Sequence, residues 1–243
     1  MSDLYNQKMV IAGDRIELFL YQGVIKTGKT YNSKGRTKGI KGNAKSRKQT
    51  LTKARNHIIN LVESNKEKFK SFITLTYAEN MQNLEESLKH LKAFLRKLRN
   101  DNKDLVYIYV IEYQSRGAIH YHLLTSIEVE ETHSFNSKFA ERYWKYGFIY
   151  LQQVNNIANI SKYIACYMTK DMIETYGKKV YSHSKNLVEP TVVKSYGKQS
   201  LEEVIESFKD YKVQYTSTYQ IQYDNKGIEV NTNVNYIDLI KEE

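Results

Sequence analysis

The chain is poor in the residues and segments that mark several large protein classes. It has one cysteine and one proline among 243 residues. The single cysteine, Cys166, excludes an internal disulfide framework and a zinc site built on several cysteines. No apolar run approaches the ~18 residues of a membrane span, and the opening MSDLYNQKMV lacks the charged-then-apolar order of a secretory signal. We therefore expect a protein of the reducing cytoplasm with no membrane partner.

Positive charge is concentrated towards the N-terminus. The formal net charge is +10, and residues 26–55 contain eleven Lys and Arg and no acidic residue. Residues 201–243 contain nine acidic and four basic residues. A strongly basic block typically binds a polyanion, because each neutralised phosphate releases counterions, although such a block also occurs as a solvated flexible segment. Composition thus indicates a basic N-terminal extension (1–69), a patterned core (70–176) and an acidic C-terminal extension (177–243).

Strand-like and helix-like segments alternate through the core. Strands are predicted at 71–77, 105–113, 118–125 and 148–154. Helices are predicted at 44–66, along the leucine-rich run from an Asn83 cap to Leu98, at 134–146 and at 157–172. This order predicts an α+β fold with a central antiparallel β-sheet flanked by helices. The tail adds a predicted weak helix near 201–210 and hairpin strands at 211–223 and 227–236, which make a small β-rich extension.

The predicted hairpin of the core brings one carboxylate and two imidazoles onto one face of the sheet. If residues 115–117 form its loop, Glu112 pairs with His120, and His122 lies two residues further along the same face. Paired residues have Cβ atoms ~5 Å apart. The set suits a facial site for Mn²⁺ or Mg²⁺, two imidazoles also suit Zn²⁺, and Gln114 is a reserve ligand. A His-x-His pair on a strand is also common as a polar rim, so both interpretations stand.

The helix predicted over 157–172 carries phenols along one edge. Tyr163, Tyr167 and Lys170 recur at spacings of four and three beside an apolar stripe. A tyrosine with an ordinary pKa of ~10 must lose its proton to act as a nucleophile, so it needs cationic help. A metal ion and Lys170 would supply that help. Ordinary boundary packing explains the same spacing in a chain with 21 tyrosines.

Three motifs, in order along the chain, resemble those of the HUH endonucleases. They are FITLTY at 72–77, Glu112 followed by HYH at 120–122, and YIACYMTKD at 163–171. The resemblance spans about residues 70–172. It is closest to the rolling-circle replication initiators of small bacterial plasmids and single-stranded DNA phages, and it implies an HUH/RRM-like sheet.

The resemblance also implies a role for each matched residue. Glu112, His120 and His122 would hold a divalent ion, Mn²⁺ or Mg²⁺, that aligns the scissile phosphate. Tyr167 would attack it, leaving a 5′-phosphotyrosine and a free 3′-hydroxyl that primes synthesis. A second tyrosine, Tyr163, would alternate with it between cleavage and rejoining, and Lys170 would orient the phosphate. The chain departs from many relatives at Cys166, where they carry lysine between the two tyrosines.

The expected partner is single-stranded or locally melted origin DNA in the cytoplasm of a bacterial host. A host helicase would unwind the duplex and a host polymerase would extend the new 3′ end. Phosphate contacts are expected from the basic segment and from the first core strand. The candidate residues are Arg36, Arg47, Lys48, Arg55, Thr74 and Thr76.

Three alternatives remain at this stage. Residues 23–30, GVIKTGKT, match the P-loop pattern, but that motif must open a helix and a glycine-rich stretch follows here. A relaxase or transposase would use the same HUH chemistry on different DNA. A non-catalytic nucleic-acid-binding module would instead stack bases on Tyr107, Tyr109 and Tyr113, which alternate on the face opposite Glu112.

Overall fold

The computed structural model describes residues 4–26, 44–157, 159–168, 180–197, 201–225 and 228–242. Within these residues the chain has helices and two five-stranded antiparallel sheets, so the predicted α+β class is confirmed. The chain divides into two compact units after Lys41 and after Val188, and the middle of the chain forms one of them. These units cut across the segments that composition indicates, because strand pairing joins distant parts of the chain. No described helix is long and apolar enough to cross a membrane.

Strands and helices follow one another in an irregular order. The strands are β1 (Leu4–Ala12), β2 (Arg15–Lys26), β3 (Ser71–Leu75), β4 (Tyr107–Tyr113), β5 (Ile119–Thr125), β6 (Ile149–Gln153), β7 (Tyr181–His183), β8 (Thr191–Ser195), β9 (Tyr211–Asn225) and β10 (Ile228–Lys241). The helices are α1 (Ala44–Glu63), α2 (Leu84–Asp101), α3 (His133–Tyr143), α4 (Ile160–Cys166) and α5 (Leu201–Glu206).

The sheet of the middle unit has the strand order β6-β3-β5-β4-β7. The β4–β5 hairpin has the predicted register, with Glu112 opposite His120 and Val110 opposite His122. Its turn places Gly117 at φ 81°, a left-handed conformation that glycine adopts without a Cβ penalty. The register matters because a slip of one residue would turn both histidines to the other face of the sheet.

Both faces of this sheet are covered by hydrophobic residues. On the face that we call the α2 face, Ile73 and Leu123 belong to a core with Leu91 and Leu98 of α2. On the opposite face, which we call the α4 face, the core includes residues of the sheet, of α1 and of α4. These are Phe72, Ile108, Val110, Leu124, Ile58, Leu61, Val62 and Ile164. The two-residue period of the strands produces this division, since successive side chains point to opposite faces.

Helix α2 begins where the sequence predicts. The side chain of Asn83 accepts hydrogen bonds from the backbone amides of Glu85 and Glu86, at 3.1 and 3.2 Å. Such a cap satisfies amides that have no partner inside the helix and is worth about 1 kcal/mol. The seam predicted for the basic helix is also confirmed, because Leu51, Ile58, Leu61 and Val62 of α1 are buried.

Two predicted helix boundaries are wrong. Helix α4 begins at Ile160 rather than at 157, because Asn159 has a left-handed backbone, φ 53°, and caps the amide of Lys162. The part of the predicted helix after residue 168 lies outside the described residues. Helix α3 ends at Tyr143, several residues before Gly147. Gly147 instead passes close to β3, where an added Cβ would lie 2.5 Å from the carbonyl oxygen of Thr76.

The other unit is a sheet with the strand order β8-β1-β2-β10-β9. The tail hairpin predicted from sequence is confirmed as β9 and β10, and β10 pairs with β2 from the other end of the chain. Ile16, Leu18, Ile237 and Leu239 form its core with Val204 of α5. Of the P-loop-like segment, residues 23–26 belong to β2, and the remainder lies outside the described residues.

Candidate active site

The carboxylate and imidazoles predicted to converge do lie together on the α4 face. Glu112 Oε2 is 2.8 Å from His122 Nε2 and 3.8 Å from His120 Nδ1. The side chain of His122 is 4% exposed, whereas those of His120 and Glu112 are 12% and 23% exposed. One carboxylate therefore contacts both imidazoles, and the cluster is open to solvent on the side of Glu112 and His120.

The surroundings favour the protonation states that a metal ligand requires. The hydrogen bond from His122 holds the pKa of the Glu112 carboxyl below its ordinary value, although burial acts in the opposite direction. Burial lowers the pKa of His120, and the charge of Glu112 only partly offsets this. Near neutral pH the site thus presents an ionised carboxylate and a neutral imidazole, the forms that bind cations.

The two tyrosines of α4 lie directly over this cluster. The Tyr167 ring stacks on His122 with 3.5 Å between ring centroids and 19° between ring planes. The Tyr167 hydroxyl donates a hydrogen bond of 2.9 Å to the Tyr163 hydroxyl. Phe72 of β3 supports both phenols, at 4.9 Å from the Tyr163 ring and 5.8 Å from the Tyr167 ring. The sheet and α4 thereby bring a phenol against the imidazole–carboxylate cluster.

The Tyr167 phenol is held in its neutral form. Burial has the largest effect and raises the pKa of Tyr167, and the hydrogen bond to Tyr163 and the charge of Glu112 raise it further. Each of these effects opposes formation of a phenolate. A nucleophilic role for Tyr167 therefore requires positive charge at the site, as the sequence analysis expects.

The two threonines predicted to contact DNA have different surroundings. Thr74 lies opposite His122, and its Oγ1 is 3.2 Å from His122 Nδ1. The Thr76 hydroxyl donates to the carbonyl oxygen of Phe148 at 3.2 Å. Because the ring nitrogen that does not bind a metal is usually held by a hydrogen bond, Thr74 is suited to orient His122. Their contacts with DNA stay a prediction.

Several other predicted site residues are not brought to this cluster by the described structure. Arg36 and Lys170 lie outside the described residues, and Arg47 and Lys48 lie on α1 with side chains that are not described. Arg55 of α1 is exposed and close enough to α4 to act on Cys166, whose pKa it lowers against the stronger effect of burial. Gln114 follows the end of β4, and its amide donates to the Ala118 carbonyl.

The tyrosines of the alternative stacking platform are packed rather than free. Tyr107, Tyr109 and Tyr113 lie on the strand positions opposite Glu112 and pack partly buried against the α2-face core. Burial raises the pKa of Tyr109 and of Tyr113. Bases could not stack on these rings without displacing core contacts, which argues against the binding-module alternative in that form.

Two exposed aromatic residues near the site were missed from sequence. Phe148, just before β6, is 78% exposed and Tyr150 is 56% exposed. Their neighbours Ile149 and Leu151 face the α2-face core. The alternation in FIYL was a usable signal, because it assigns Phe148 and Tyr150 to the face of the histidines once the strand pairing is known.

The donor set fits a divalent cation. One carboxylate and two imidazoles suit Mn²⁺ or Zn²⁺, and the carboxylate also suits Mg²⁺. The Glu112 oxygen contacts both histidines within 4 Å, and Thr74 supplies the outer hydrogen bond that ligating histidines usually have. Which ion binds is a matter for measurement.

Over its central region the chain is similar to replication-associated proteins. The family is that of the replication-associated protein ORF2/gene-2 protein, whose sequence model matches residues 70–172. This match covers less than half of the chain and contains the whole cluster of Glu112, His120, His122, Tyr163 and Tyr167. No curated protein and no solved structure matches the chain.

Proposed function

We propose that this protein initiates rolling-circle replication by nicking and rejoining single-stranded DNA at an origin. The match to a replication-associated family supports the process. The stacking of Tyr167 on His122, at 3.5 Å, carries the proposal for the chemistry, because it sets a nucleophile against a cation-binding cluster. This makes the protein a site-specific DNA endonuclease and strand transferase of the HUH type.

In the proposed cleavage, Tyr167 Oη forms a bond to the scissile phosphorus. The bond from phosphorus to the 3′ oxygen breaks, and that oxygen takes up a proton as the phenol releases one. The products are a 5′-phosphotyrosine and a free 3′-hydroxyl. Since the phosphotyrosine conserves the ester bond, attack by a 3′-hydroxyl reverses the step without ATP.

Glu112, His120 and His122 would hold a divalent ion, Mn²⁺ or Mg²⁺, which supplies charge stabilisation at the scissile phosphate. Thr74 would keep His122 in place through its hydrogen bond. Tyr163 fixes the Tyr167 hydroxyl, which donates to it at 2.9 Å. The same closeness makes Tyr163 the second nucleophile, which would take over the strand in a second transfer. Lys170 would add positive charge near the phosphate.

The basic segment would hold the DNA backbone, with Arg36, Arg47, Lys48 and Arg55 as its phosphate contacts. Such contacts position DNA without reading its sequence, so origin choice must come from base contacts elsewhere. A host helicase and polymerase would separate the strands and extend the free 3′ end.

The decisive experiment is a search for the covalent adduct. The protein is incubated with Mn²⁺ and a pool of random single-stranded oligonucleotides labelled at the 3′ end, then denatured and resolved on a gel. We expect labelled DNA to migrate with the protein and the adduct to be absent with EDTA or in Tyr167→Phe. Sequencing the bound DNA would identify the preferred site, and 5′-labelled DNA should yield shortened fragments that a polymerase extends.

Tyr215→Phe is the matched control, since Tyr215 is an exposed tyrosine of the other unit. It should form the adduct as the wild type does. An adduct that persists in Tyr167→Phe would transfer the nucleophile to Tyr163. No adduct from the pool, with a folded protein and Mn²⁺ or Mg²⁺ present, would overturn the nuclease proposal in favour of a binding module.

A further inference from the structure

We propose that Phe148 and Tyr150 form a stacking platform that holds bases of the single strand beside the scissile phosphate. The proposal rests on the proposed function, because it concerns how the same DNA strand is held. It assigns these two residues a positioning role and leaves the bond-making step to the tyrosines of α4.

The strand pairing puts both rings on the face of the candidate active site. Thr74 of β3 lies opposite His122 on one side and opposite Tyr150 on the other. Phe148 precedes Tyr150 by two residues, and its carbonyl accepts the amide of Thr76 at 3.0 Å, so the pairing with β3 continues to it. Tyr150 and His122 are therefore two strands apart, about 10 Å, which is within reach of the nucleotides next to a phosphate at the cluster.

The two rings are exposed although the strand they belong to is well packed. Phe148 is the most exposed large hydrophobic side chain of the described residues, at 78%, and Tyr150 is 56% exposed. Leu151, between Tyr150 and the next outward position, is 1% exposed. The strand thus buries one face fully and presents two aromatic rings on the other. Such pairs of exposed rings on a sheet are how many proteins bind unpaired bases.

The surroundings favour DNA over a second copy of the chain as the occupant. The platform is continuous with the candidate active site through Thr74 and Thr76, whose hydroxyls lie on the strand between β6 and the histidines. The chain has a net charge of +10, which attracts a polyanion and opposes self-association. β6 is also an edge strand of the described sheet, so pairing between copies is an outcome that the test must detect.

The test measures binding without cleavage. The full-length protein is titrated, in EDTA, against a fluorescent oligothymidylate of about 16 nucleotides, and binding is followed by anisotropy. Phe148→Ala and Tyr150→Ala should each weaken binding about 5- to 100-fold, the ordinary cost of losing one stacked base. Tyr150→Phe should retain wild-type binding, because it keeps the ring. The salt dependence should keep its slope, since no phosphate contact is removed.

Tyr215→Ala is the matched control for an exposed tyrosine of the other unit, and thermal unfolding of each variant checks the fold. Unchanged binding in both alanine variants would overturn the platform. So would a loss of mass in sedimentation with unchanged DNA binding, which would make the rings a contact between copies. If the variants lose binding while the wild type forms no covalent adduct, the platform stands and the nuclease proposal fails. If the adduct forms while the variants bind normally, only the platform fails.

Discussion

Replacing Gly147 with alanine tests how the edge of the active-site sheet is built. An added Cβ would lie 2.5 Å from both the Thr76 carbonyl oxygen and the Ala78 amide nitrogen, and 2.7 Å from the Tyr77 carbonyl carbon. All three atoms belong to backbone, so no flexible side chain can move aside. The chain before β6 must therefore shift away from the chain after β3.

The expected cost follows from that contact. Overpacking against fixed backbone costs about 1–3 kcal/mol, and the shift would also strain two backbone hydrogen bonds, from Thr76 to Phe148 and from Ala78 to Tyr146, both 3.0 Å long. We expect Gly147→Ala to lower the free energy of unfolding by about 2–3 kcal/mol. For a protein of this size, this lowers Tm by about 4–12 °C.

Thermal and urea unfolding, followed by circular dichroism, measure this loss. Gly197→Ala is the matched control, because its Cβ would meet only the end of the Gln7 side chain, at 2.9 Å, which can rotate. It should leave Tm within about 2 °C of the wild type. A Gly147→Ala variant as stable as the control would refute the close approach of the two backbones and, with it, the placement of Phe148 beside Thr76.

Two further predictions concern single hydrogen-bonded side chains. Thr74→Val removes the 3.2 Å contact to His122 Nδ1, so Mn²⁺ affinity measured by calorimetry should fall about 10- to 100-fold, whereas Thr76→Val should bind Mn²⁺ normally. Equal affinities would remove Thr74 from the site. Asp238→Ala leaves the buried Arg15 guanidinium without the carboxylate that it contacts at 2.7 Å, so urea unfolding should show a loss of about 3 kcal/mol. A loss under about 1 kcal/mol would mean that Arg15 finds another partner.

Local patterns carried the parts of the fold that could be predicted. The turn of the β4–β5 hairpin determines which residues are opposite one another, so Glu112 and His120 could be paired from sequence. The Asn83 cap is equally local, since it involves only the first turn of α2. Both depend on residues close together in the chain, where spacing and geometry are nearly equivalent.

Long-range pairing could not be predicted in the same way. β2 and β10 come from opposite ends of the chain, and nothing in either segment identifies the other as its partner. The start of α4 depends on one left-handed residue, Asn159, which periodicity does not detect. Gly147 resembles a helix terminator in sequence, but its neighbours in space are on β3 and the residues that follow it.

The candidate site shows the same division. The ligand cluster was predictable because it lies within one hairpin, whereas the contact between Tyr167 and His122 depends on how α4 crosses the sheet. Resemblance to a family supplied that contact as an expectation, which spacing alone does not. The exposed rings of Phe148 and Tyr150 were missed because β6 had no assigned neighbour until its pairing with β3 was known.

The charges around Tyr167 argue that the proposed nucleophile is inactive until a cation binds. Its pKa is raised by burial, by the hydrogen bond to Tyr163 and by the negative charge of Glu112. A cation held by Glu112 reverses the last of these effects, because it neutralises the carboxylate that opposes a phenolate. The cluster that would align the phosphate therefore also controls the phenol beside it. Loss of the cation should then abolish adduct formation through both effects, while binding of DNA by the basic segment and the aromatic platform persists.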